Sequence, residues 1–109
     1  MKDESILFAF ILDAIDRILR YTEAGETAFY QDVKTQDAVL RNFQTMGQAA
    51  GDISDETQAA HPEIEWGDII GFRNVIVHDY LGLDLPTVWS IIEHELPPLR
   101  NGIARLTTV

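Results

Sequence analysis

The chain has no cysteine among its 109 residues. A disulfide framework, a cysteine zinc site and a thiol nucleophile are therefore all excluded. Basic residues are scarce as well. Eight Lys and Arg stand against eighteen Asp and Glu, a formal net charge of −10. General nucleic-acid binding calls for a basic face, so this balance argues against tight, non-specific attachment to DNA or RNA. It leaves room for a small local site or for a basic protein partner. Long apolar runs are missing too. Ile6 to Leu12 follows the acidic start Met1-Lys2-Asp3-Glu4 and is broken by Asp13, Asp16 and Arg17. That is neither a secretory signal nor the ~20 apolar residues of a membrane span. No membrane association is expected, and the cytoplasm is the expected compartment.

What is present is a chain 46% hydrophobic, with no repeat, low-complexity tract or linker to divide it. It reads as one globular domain, 1–109, burying roughly two thirds of its unfolded surface. The periodicity is helical almost throughout. Phe8, Ile11, Ile15, Ile18 and Tyr21 recur three and four apart, which predicts an amphipathic helix from about residue 4 to 22, ended by Ala24-Gly25. Glu26 to Asp32 reads as one or two helical turns. Val39, Phe43, Met46, Ala50 and Ile53 mark a second long helix with Thr35 as N-cap and Asp37 in its first turn, continuing through Gln58 to Ala60. His61-Pro62 ends that segment.

A third helix is expected from Trp66 or Gly67 to about Tyr80, with Gly82 to terminate it. Asp84-Leu85-Pro86 opens the last helix, whose stripe is Trp89, Ile92, Leu96, Leu99, Ile103 and Leu106. Pro97 and Pro98 inside that stripe predict a kink. No strand is expected. The fold class is all-α, a bundle of four long helices plus a short one.

The segment Phe72 to Tyr80, FRNVIVHDY, stands out. Ile69, Ile70, Phe72, Val75, Ile76 and Val77 spread round most of a helical wheel, as in a central helix buried on most sides. Gly71, Asn74 and His78 form a narrow exception on one side. Asn74 and His78 are four apart, so the amide can orient the imidazole. Arg73 lies roughly 140° from His78 on the same wheel, and Tyr80 shares its direction. A structural ion pair, a satisfied core histidine and a boundary tyrosine would also account for these residues. As chemistry, they suit cleavage of an RNA phosphodiester. A histidine can take the proton of a ribose 2′-hydroxyl or give one to the leaving oxygen, while an arginine forks onto the phosphate. The carboxylates are many but scattered, with no H-E-x-x-H or EF-hand pattern, so neither metal nor cofactor is expected.

Arg73-Asn74-x3-His78-x-Tyr80 resembles the R-x4-H-x-Y motif of the HepT-like proteins of the HEPN superfamily. Trp66, Asp84, Val88-Trp89-x-Ile91, Leu96-Pro97 and the helical layout over nearly the whole chain resemble that family as well. The resemblance implies a four- to five-helix HEPN bundle that forms a homodimer, with two motifs facing each other across a cleft. It implies a metal-independent endoribonuclease, the toxin of a type VII toxin–antitoxin pair. The implied partner is an MntA-like nucleotidyltransferase that silences the toxin by moving AMP from ATP onto the motif tyrosine. Carried across, Arg73 and His78 are catalytic, Asn74 is supporting and Tyr80 is the AMP acceptor. Asp79 is not fixed by the motif; it either helps polarise His78 or is an exposed carboxylate at the helix end. A non-catalytic HEPN module that binds a nucleotidyltransferase and its nucleotide is the alternative, and a purely structural dimerising bundle is a third. His61 and His94 are expected to be solvated, and Asp52, Asp55 and Glu56 to form a solvated face.

Overall fold

The computed structural model describes residues 4–78 and 84–107, apart from the side chains of residues 73–78. Among the described residues the structure is helical and contains no strand. Helix α1 spans Ser5–Tyr21, α2 Glu26–Gln31, α3 Val33–Gly51, α4 Asp55–Ala60 and α5 Trp66–His78. Helix α6, Leu85–Ser90, passes through a π-helical turn at Ile91–Glu95 into α7, Leu96–Thr107. The all-α expectation holds, with two short helices rather than one and a last helix that changes pitch midway.

Helices α1 and α3 pack side by side, α5 lies on α3, and α7 lies on α1. The apolar spacings explain this arrangement. Ile11, Ile15 and Ile18 of α1 are fully buried, as are Val39, Met46 and Ala50 of α3. Each isoleucine removed from water in this way contributes about 1.5–3 kcal/mol. Phe43 meets Phe72 edge-on, with ring centroids 5.2 Å apart, which joins α3 to α5. Asp16 accepts a 2.6 Å hydrogen bond from Arg100 Nε, which joins α1 to α7. Tyr21 departs from the expected core. At 43% exposure, the last residue of α1 has run past the neighbours that cover Ile18.

The caps correct three boundaries. Helix α1 ends with Thr22 as its C-cap, ahead of the expected Ala24-Gly25. Gly25 instead caps the start of α2, and its φ of +101° turns the chain into that helix. Helix α3 begins two residues earlier than Thr35, because Asp32 is its N-cap and accepts from the Lys34 N–H. Thr35 serves that cap instead, donating its hydroxyl to the other Asp32 oxygen at 2.7 Å. Nor does α3 run on to Ala60. It stops at Gly51, and Ser54 caps a separate helix by accepting from the Thr57 N–H. A serine side chain that competes for backbone N–H groups favours a new start over continuation. Glu4 strengthens that start from a distance, accepting from the Ser54 N–H and from the Ser54 and Thr57 hydroxyls.

The expected kink at Pro97 and Pro98 takes the form of the π turn just before them. Neither proline has an N–H, so the carbonyls of Glu93 and His94 lose their usual partners four residues on. The Leu96 N–H donates to Ile91 O, one residue further back than in an α-helix. The wider turn absorbs the strain. Val88 before the turn, Ile92 within it and Leu96 and Ile103 after it are all buried.

Candidate functional site

The rotation of α5 about its own axis is fixed at its first turns. The Glu65 carbonyl accepts from the N–H groups of Asp68 and Ile69, which starts the helix. Trp66 donates its indole N–H to the His61 carbonyl at 3.0 Å and lies against Phe8, with ring centroids 6.3 Å apart. Ile69 and Phe72 are buried on the same side. The opposite side is open. A Cβ added at Gly67 or Gly71 would meet nothing within 4 Å. Because the helix continues unbroken to His78, the Asn74 and His78 positions fall in register with Gly71 and Gly67. The Arg73 position falls roughly 140° round from His78. The side chains of Arg73, Asn74 and His78 and of the expected core residues Val75 to Val77, and all of Asp79, Tyr80 and the terminator Gly82, lie outside the described residues.

A second feature lies on a different side of α5. A groove of about 350 Å³ runs between the start of α5, the π turn and α7. Ile64, Ile69, Phe72 and Leu99 contribute its apolar part, with Glu63, Glu65, Asp68 and Glu95 among its polar lining. No motif pointed to it, because its residues come from three separate segments. The signal present in the sequence was Gly102. A Cβ there would stand 2.7 Å from Ile64 Cδ1, so the glycine allows the loop before α5 to close onto α7. Between α1 and α3 a smaller hollow of about 300 Å³ holds Phe10, Arg41 and the Arg17–Asp13 pair at 3.0 Å.

The remaining polar residues mostly follow expectation. His94 is exposed, with Nε2 3.1 Å from Glu93, and Asp52, Asp55 and Glu56 are exposed. His61 is half-buried rather than fully solvated, since the Trp66 indole covers its carbonyl. Among the described residues no three His, Asp or Glu side chains are grouped to hold a metal ion. Tyr30 is pushed up to about 12. The cause is chiefly its 2.6 Å hydrogen bond to Glu26, followed by burial and the charges of Glu26, Asp84 and Glu93. Trp89 stacks at a tilt on Phe29, 5.7 Å between centroids, and its buried indole N–H has no partner among the described residues. No described helix is long and apolar enough to cross a membrane.

Comparison with known proteins agrees with this layout. Residues 11–106 match the family described as "Ribonuclease HepT-like". The chain is 32% identical over 97 residues to the "Probable ribonuclease HepT" of Thermococcus cleftensis, covering 88% of each chain. It is 23% identical over 103 residues to the "Putative RNase MJ1380" of Methanocaldococcus jannaschii, covering 94% of each. A further relative from that organism, "Gamma-glutamylcyclotransferase and putative RNase MJ0434", is 28% identical over 106 residues, which span 48% of its length. No solved structure matches. The family match runs from the second turn of α1 to the end of α7, taking in every helix that builds the bundle and the whole of α5, and the chain belongs to the HepT-like family of the HEPN superfamily.

Proposed function

We propose that this protein is a metal-independent endoribonuclease whose Arg73 and His78 cleave RNA, with Asn74 holding the imidazole. The observation that carries the reading is the family match across α5, joined to the helical register that lines Asn74 and His78 up with the open positions Gly67 and Gly71. An open, small-residue side on an otherwise apolar helix suits a homodimer in which two such helices approach and form a shared cleft. In that cleft His78 exchanges the proton of a ribose 2′-hydroxyl or of the leaving oxygen, and Arg73 offsets the charge that develops on the phosphate. Asp79 is an accessory position at most. The test is an RNA-cleavage assay on the purified protein with and without EDTA. Cleavage that persists under chelation and disappears in His78→Ala is the expected result. Loss in EDTA, restored by a divalent ion, would defeat the mechanism.

The same reading makes the protein the toxin of a toxin–antitoxin pair, silenced when an MntA-like nucleotidyltransferase transfers AMP to Tyr80. The Tyr80 oxygen attacks the α-phosphorus of ATP, pyrophosphate leaves, and the phenolic proton passes to solvent or base. A nucleotide two residues past His78 would block the cleft and set a phosphate against Arg73. Tyr30 already donates its hydroxyl to Glu26 at 2.6 Å within α2. Tyr80→Phe should stay toxic and escape silencing. Mass spectrometry after incubation with the nucleotidyltransferase, ATP and magnesium should find the adduct on Tyr80; an adduct confined to Tyr21 or Tyr30 would exclude this regulation. The acidity of the chain favours the second reading, a non-catalytic module binding a nucleotidyltransferase and its nucleotide, and a parent protein that cleaves no RNA would select it.

A further inference from the structure

The groove between α5 and α7 has a chemistry of its own. Ile64, Ile69 and Phe72 are buried beneath it and Leu99 is half-buried. Around them stand four exposed carboxylates, Glu63, Glu65, Asp68 and Glu95, contributed by the loop before α5, by α5 itself and by the π turn. The positive side chains on the lining are Arg105 and, when protonated, His94, whose imidazole already lies 3.1 Å from Glu93. The volume of about 350 Å³ suits one large apolar side chain and its neighbours rather than a long ligand. One wall is the π turn, an irregularity that recurs at functional positions in helices. Another is shaped by Gly102, whose missing side chain lets Ile64 settle against α7.

We infer that this groove docks a basic segment of a partner protein, which seats an apolar side chain on Ile64, Ile69, Phe72 and Leu99 and sets Arg or Lys against Glu65, Asp68 and Glu95. Charge complementarity selects this occupant. A nucleic-acid backbone would meet carboxylates on three sides. A second copy of this chain, docked by two-fold symmetry, would bring the acidic rim against itself. A purely polar cation would leave the apolar floor uncovered, so the occupant must carry both features. The groove is centred roughly 130° around α5 from the Gly71, Asn74 and His78 register. A partner held there can therefore grip the helix while leaving its other side accessible. The inference does not depend on RNA cleavage or on any role for Tyr80.

The probe is a fluorescein-labelled helical peptide of about twelve residues with Leu and Trp on one face and Arg and Lys flanking that face on both sides. Fluorescence polarisation at physiological salt measures its binding to the full-length protein. The expected result is saturable binding that weakens about tenfold or more when Leu and Trp are replaced by Ser and Gln. The triple variant Glu65→Gln, Asp68→Asn, Glu95→Gln should lose about tenfold or more in affinity. A charge-matched control at the far end of the bundle and on α4, Glu23→Gln, Asp37→Asn, Glu56→Gln, should bind as the parent does. Circular dichroism on both triple variants checks that the fold is kept, and Leu99→Asn provides a second groove variant if the first is unfolded. Equal losses in both triple variants would reduce the binding to general acidity and overturn the proposal. So would indifference to the apolar residues of the peptide. A dimer that dissociates only in the groove variants would assign this face to a second copy, and would overturn it too.

Discussion

Helices α1 and α5 both carry polar residues among apolar ones, yet the two cases differ in kind. In α1 the charged residues are sorted outward: Ile11, Ile15 and Ile18 face the core, while Asp13 and Arg17 pair with each other outside it at 3.0 Å, beside the exposed Ile6 and Phe10. Solvent is reason enough for those polar side chains, and such an exposed pair adds little stability. Helix α5 is not sorted. Trp66, Ile69 and Phe72 are buried and Ile70 is half-buried, and the side left open begins with two glycines before it reaches the Asn74 and His78 register. A polar residue is therefore informative in proportion to the apolar context that it interrupts.

The sharpest test of that contrast is catalytic. His78→Ala or Arg73→Ala should lower RNA cleavage about 10²–10⁴-fold with the helical signal intact, as followed on a labelled transcript. Arg17→Ala on α1 should leave the rate unchanged, and an equal loss there would erase the distinction between the two helices. Stability should then divide the helices in the other direction. Ile15→Ala, at a fully buried position of α1, should cost about 2–5 kcal/mol by urea denaturation. The half-buried Ile70 of α5 should cost about 1 kcal/mol when replaced by Ala.

Smaller effects bear on the open side. Gly71→Ala removes backbone freedom at a helical position with room for the methyl group, so it should raise stability by up to about 1 kcal/mol. Gly71→Leu should instead block the approach of a second helix. Light scattering should then show half the parent mass, with cleavage lost although His78 is untouched. If the parent is already a monomer that cleaves RNA, the shared cleft is excluded.

The smallest expected effect is acid sensitivity. The Asp32 carboxyl is held below its usual range chiefly by the Thr35 hydroxyl, and Asp84 by the Thr87 hydroxyl. Groups with a folded-state pKa below the unfolded one add stability above the ordinary carboxylate range. That stability is lost as pH falls through their folded values. The midpoint of thermal unfolding should therefore decline in acid. The double variant Asp32→Asn, Asp84→Asn keeps a capping oxygen and should decline less steeply over the same span.

Much of this fold was legible from spacing alone, because Phe8 to Ile18 and Val39 to Ile53 repeat at the period of the helix that they bury. The boundaries were less so. Thr35 and Asp32 are both good caps, and only the geometry of the turn after Gln31 decides between them. The break after Gly51 depends on Glu4, some fifty residues away in sequence, which no local pattern can register. At the site, the motif and its flanks identified the family and the helix. The sequence could not reveal the groove, because Glu63, Glu95 and Gly102 meet only after the chain has turned twice.

The π turn at Ile91–Glu95 makes chain length a variable in its own right. One surplus residue is held there as a phase shift, and the helix on either side keeps step with different neighbours: Trp89 with Phe29, and Arg100 with Asp16. Deleting exposed His94 would let the turn close into ordinary α-helix while everything downstream keeps its rotation, whereas one residue lost from the unbroken helix α1 would swing the rest of that helix by about 100°. Arg100 would stay on Asp16 and Ile103 in the core, with the composition scarcely altered. A single-residue deletion at His94 should accordingly be better tolerated than one within α1 or α3, which makes this short stretch a point where the gene can accept a change of count as well as a change of letter.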